Sequence, residues 1–100
     1  MKPIPQQEAE ERFDALPAHL RESLFSEKNL SLIWDFGETN HLNGAKIQRV
    51  ADITGAVILG FVHAEDLAKE FISDVGLPTD IANEFAAEIT RKILAPIMDE

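Results

Sequence analysis

The sequence predicts an all-α fold, a compact orthogonal bundle of four to five helices, on three observations. The most apolar stretch, Ala51 to Val62, belongs to a longer run, Lys46 to Gly60, in which Ile47, Val50, Ala51, Ile53, Thr54, Val57, Ile58 and Phe61 recur at three- and four-residue intervals. Near the end of the chain Ile81, Phe85, Ile89, Ile93 and Ile97 recur every four residues. No second run rich in β-branched residues is available to pair with a strand. A buried strand over AVILGFV is the competing reading of the central stretch, but the helical period continues back through Lys46 to Val50.

Taken in order, Met1 to Gln7 carries two prolines and little to bury, and reads as a loose arm before a single helical domain over 8–100. Glu8, Glu10 and Glu11 precede Phe13 and Leu16, placing negative charge at the N-terminus of a first helix that Pro17 ends. Pro17 also suits the first turn of a second segment, Ala18 to Phe25, with Leu20, Leu24 and Phe25 as its apolar positions. Ser26 is the expected N-cap of the third, Glu27 to about Asn40. This helix carries two stripes, Leu30, Ile33 and Trp34 on one and Leu32 and Phe36 on the other, and Gly37 weakens its last turns.

Asn40 to Asn43 reads as a turn around Leu42, with Asn43 capping the central helix. That helix is apolar on most sides. Ala51 and Gly55, like Ala56 and Gly60, lie four apart, so two narrow strips without bulk let neighbouring helices approach. A helix over Ala64 to Val75 follows, with Glu65 and Asp66 in its first turn, Leu67, Phe71, Ile72 and Val75 as its buried face, and Gly76 as its stop. Pro78 and Thr79 introduce the last helix, Asp80 to about Met98, whose isoleucine stripe is expected to face the central helix. Pro96 falls inside that pattern and predicts a kink or an early end near Ala95. Of these segments four to five form the bundle, four if the first frays.

One hundred residues, 45% of them apolar, make one domain with a modest core. The absence of cysteine rules out disulfides, thiolate metal sites and a cysteine nucleophile. MKPIPQQEAEER lacks the apolar segment of a signal peptide, and the central run is too short to span a bilayer, so a cytoplasmic protein is expected. A formal charge of −9 argues against direct binding to nucleic acid and against anionic membranes. It leaves a basic protein as a possible partner.

Leu16-Pro17, Asp35-Phe36-Gly37 with Leu42 following, Thr54-Gly55, Leu59-Gly60, His63 with Asp66, and Ala95-Pro96-Ile97 mark helix boundaries and packing positions. Through them the run from Leu16 to Met98 resembles small helical proteins of candidate-phyla bacteria to which no activity is assigned. In those proteins a threonine and a proline often flank the histidine. Val62 and Ala64 stand there instead, which weakens the expected cap of the following helix. The resemblance implies an all-helical fold and no mechanism.

Glu38-Thr39-Asn40-His41 has the Glu-x-x-His spacing of carboxylate-bridged metal sites, with Asp35 one turn back. Such sites need two copies, and Leu16 and Gly60 stand three residues before His19 and His63. A solvated helix end is the simpler reading, and no metal or other cofactor is expected. His63, beside Glu65 and Asp66, has the setting of a pH-sensing imidazolium, but a polar residue at a helix start is the simpler reading. The four serines lack a histidine at suggestive spacing, and there is no Gly-rich phosphate loop, so no enzyme and no small-molecule ligand is predicted.

Two surfaces remain. Leu32, Trp34 and Phe36 form an apolar candidate for contact with another protein or a second copy of the chain. Between Phe61 and Glu88 seven acids face Lys69 alone, and Glu65, Asp66, Glu70, Asp80, Glu84 and Glu88 form an acidic candidate. The first predicts a non-enzymatic interaction module using an apolar helix face with acidic surroundings. The second predicts an acidic inhibitor or decoy that binds a basic protein and possibly mimics nucleic acid.

Overall fold

The computed structural model describes residues 3–24 and 26–98, the side chain of Met98 excepted. Met1 and Lys2 of the expected arm, Phe25 of the second apolar set, and Asp99 and Glu100 therefore lie outside the described residues. Among the described residues the protein is all-α and has no strand. Its elements are α1 (Gln6–Ala15), α2 (Ala18–Leu24), α3 (Glu27–Thr39) and α4 (Gly44–Ile58), followed by two composite helices. In α5 a 3-10 turn, Ala64–Asp66, leads into Leu67–Glu70 and a π turn, Phe71–Val75. In α6 the α-helix Thr79–Ile89 passes through a π turn, Thr90–Leu94, into Ala95–Met98.

Capping chemistry explains most of these boundaries. Pro5, with φ −58°, sets the start of α1, and its carbonyl accepts from the Ala9 N–H at 3.1 Å. Gln6 and Gln7 belong to α1 rather than to an arm, and their side chains donate to Glu10 and Glu11 one turn on. Leu16 turns extended because Pro17 excludes the helical conformation before it. The Ser26 hydroxyl accepts from the Asn29 N–H at 3.3 Å and the Asn43 side chain from the Lys46 N–H at 2.9 Å, as two N-caps should. Asn43 starts α4 at Gly44, two residues before the expected position.

Three helices stop on a left-handed residue. At the end of α4, Gly60 (φ 89°) donates to the Val57 carbonyl and Phe61 to the Ala56 carbonyl, a complete Schellman motif. At the end of α5, the N–H groups of Gly76 and Leu77 both close on the Phe71 carbonyl. The end of α3 uses His41 (φ 60°), which donates to Glu38 while Leu42 donates to Gly37 at 3.0 Å. A side chain with a Cβ is strained in that region, and His41 is exposed, so His41→Gly is expected to stabilise the protein by about 0.5–1 kcal/mol. A higher urea midpoint at unchanged slope is the readout.

Both π turns correct sequence expectations. Pro96 does not bring the early end of α6 that was one of the two expectations; the disturbance takes the form of a wide turn over Thr90–Leu94, closed by Ala95 N–H to the Thr90 carbonyl, which accommodates the residue that cannot donate, and helix continues to Met98. In α5 the π turn shifts the facing of the last residues. Ile72, expected inside, is exposed, while Leu77 beyond Gly76 turns back into the core.

The core sits where α3, α4, α5 and α6 meet. Phe71, Phe85, Ile47, Ile53, Leu67 and Ile89 are its largest fully buried side chains. Phe85 of α6 joins the layers, its ring 4.5 Å from Phe36 of α3 and 5.7 Å from Phe71 of α5. The α6 stripe, expected to face the central helix, thus meets α3 and α5 through Phe85. Arg49 of α4 bonds Asp74 of α5 at 2.6 Å across the edge. By contrast α1 buries no side chain fully; Arg12 reaches from it to the Leu59 carbonyl at 3.4 Å and lies 4.9 Å over the Phe61 ring.

Candidate interaction surface

Leu32, Trp34 and Phe36 do not share one face. Phe36 is held against Phe85, so most of its ring belongs to the interior, and its free edge joins Leu32 in a groove of about 470 Å³ between α3 and α6. Lys28, Asp35, Glu88 and Lys92 rim that groove with balanced charge. Trp34 sits half-buried on another side, where its ring covers Gly44 at the start of α4.

The six acids are likewise divided. Asp66 and Glu70 line a hollow with Glu8 and His63, Glu65 lines another with Arg91, and Glu88 belongs to the α3/α6 groove. Asp80 and Glu84 are exposed on α6. Glu88 is paired with Arg91 and bonds Lys92 at 3.0 Å. The hydrogen bond from Lys92 holds the Glu88 carboxyl below its ordinary value; desolvation opposes this, and the charges of Arg91 and Lys92 add to it. Arg91 lines the same hollow as Glu65, and Arg91 and Lys92 pair with Glu88, while Asp80, Glu84 and Glu88 follow one another a turn apart on α6.

His63 is exposed at the start of α5, and its side chain makes no capping bond. Among the described residues no three His, Asp or Glu side chains converge as metal ligands, and no helix is long and apolar enough to cross a membrane.

A different surface combines apolar floor and acidic rim. Leu30, which shares a stripe of α3 with Ile33 and Trp34, is 47% exposed and lines a trough between α1 and α4. The trough holds about 750 Å³ and is floored by Phe13, Leu24, Leu30, Ala51, Gly55 and Leu59. A hollow of about 220 Å³ beside it shares Leu24, Leu30, Ala51 and Gly55 and reaches down to Ile33, Ile58 and Ile93. Glu10, Asp14 and Asp52 stand on the rim of the trough and Glu27 on that of the hollow; among the described residues no lysine or arginine lines either. Gln6 and Gln48 donate to Glu10 and Asp52 at 3.1 and 3.0 Å, and neutral amides leave the carboxylate charge in place.

The floor follows from the small residues of α4. A Cβ on Gly55 would lie 3.6 Å from Leu24 Cδ2, so Ala51 and Gly55 let the α2 leucine come close and keep the channel beyond it open. Comparison with known protein families, curated proteins and solved structures finds no match. The surface therefore has to be read from its own chemistry. It offers concavity, apolar area and negative potential.

Proposed function

We propose that this protein is a non-enzymatic interaction module, acting in the cytoplasm, that receives an apolar helical face of another protein in the trough around Leu30. The exposure of Leu30 within a continuous apolar concavity supports this reading. A large apolar side chain left nearly half open in a monomer loses roughly 1 kcal/mol of burial that a partner would supply. Its neighbours Leu24, Leu59 and Phe13 extend the same surface.

A neutral amphipathic peptide of about sixteen leucine, alanine and glutamine residues, with leucine along one face, provides the probe. Fluorescence anisotropy should show binding to the wild type and a loss of at least about tenfold in Leu30→Glu. Ile72→Glu, which alters the other exposed large apolar side chain among the described residues, should leave binding unchanged. Equal binding to wild type and Leu30→Glu would refute the assignment, as would no binding at all.

A further inference from the structure

We infer that the segment received by the trough is a basic amphipathic helix. This rests on the interaction reading above and adds the chemistry of the partner. Glu10 and Asp14 project from α1 on one wall, Asp52 from α4 on the other, and Glu27 closes the end of the adjoining hollow; among the described residues no cation lines either. Lysine or arginine stems lie well across an apolar floor while their charged heads reach such a rim. The charge pattern thus specifies the flanks of the ligand as the floor specifies its ridge.

The floor favours a helix over other shapes. Along α4 the trough runs from Gln48 to Leu59, about 17 Å or three turns. Ala51 and Gly55, one turn apart, make the low strip into which a ridge of leucines spaced three and four residues apart can settle. The same charges select against other occupants. A second copy would bring its own net charge of −9 against this rim, and phosphate groups of nucleic acid or lipid would meet carboxylates.

Three peptides with the same leucine face and lysine, glutamine or glutamate elsewhere separate the two levels of the reading. At about 50 mM salt the lysine peptide is expected to bind at least about tenfold more tightly than the glutamine peptide, and the glutamate peptide not measurably. The lysine advantage should shrink severalfold at about 500 mM salt. Combining Asp14→Asn with Asp52→Asn should remove most of it, whereas Asp80→Asn with Glu84→Asn, an equal change in net charge, should not. Circular dichroism of both pairs verifies that they fold.

Equal affinity for the lysine and glutamine peptides would overturn the basic partner and leave the docking site standing. A lysine advantage that falls equally in both double variants would overturn the rim as its source. Failure of every peptide to bind would remove the docking reading itself. A dimer by light scattering that Leu30→Glu dissociates would replace the basic helix with a second copy.

Discussion

Phe85→Ala is expected to destabilise the protein by about 3–5 kcal/mol, which for a domain of this size lowers the melting temperature by about 15–30 °C. Phe85 is fully buried, and its ring is the contact shared by Phe36 and Phe71. Truncation removes the transfer free energy of the ring and leaves a cavity between three helices that cannot all close on it. A small domain has about 5–15 kcal/mol in total, so the variant sits close to unfolding at room temperature. Phe36→Ala should cost clearly less, because part of that ring already faces the α3/α6 groove. Urea titration of the two variants gives the comparison, and equal losses would show that Phe85 does not join the layers.

Gly37→Ala is the second large effect, about 1–3 kcal/mol against the protein, although alanine is the better helix former. A Cβ at Gly37 would stand 2.5 Å from Ile47 Cγ1 and 2.8 Å from its Cδ1, with Ile47 itself locked in the core. Either α3 and α4 separate or Ile47 leaves its rotamer. Ile47→Ala keeps only the Cβ, 3.5 Å away, so the clash should vanish in the double variant. The two losses should then sum to more than the double variant loses. Strict additivity would mean that the helices do not cross at Gly37.

Much of this architecture was legible in particular residues. Ser26 and Asn43 cap the helices they were expected to cap, Gly76 stops α5, and the stripe Phe85, Ile89 and Ile93 is buried, because each follows from local hydrogen bonding or from the helical period. By contrast Gly60, counted with Ala56 as a packing strip inside the central helix, lies beyond its end in the left-handed region. What was not legible depends on contacts distant in sequence. Gly37 reads as a weak helical residue until Ile47 is seen across from it. Periodicity counts Leu30 with Ile33 and Ile72 with Phe71, and cannot register that Leu30 borders an open trough or that a π turn shifts the facing at Ile72.

The interaction surface shows the same division. Leu32 and Phe36 stood out as an excess stripe, but Phe85 takes up the Phe36 ring, and Trp34 points elsewhere. The strip Ala51 and Gly55 was readable as a place of close approach. What approaches it, Leu24 from one side and an open trough on the other, depends on contacts distant in sequence. Likewise the acids Glu65 to Glu88 cluster in sequence but line different hollows or stand exposed on α6, while Glu10, Asp14, Glu27 and Asp52 are scattered in sequence and line one trough and its adjoining hollow.

The most direct measurement is a chemical-shift map of the 15N-labelled protein titrated with the neutral amphipathic peptide. The amides of Leu24, Leu30, Ala51, Gly55 and Leu59 should move together and saturate, while those of Leu32, Asp35 and Lys92 stay in place. Shifts confined to Leu32, Phe36 and Lys92 would contradict the trough and return the docking site to the groove between α3 and α6.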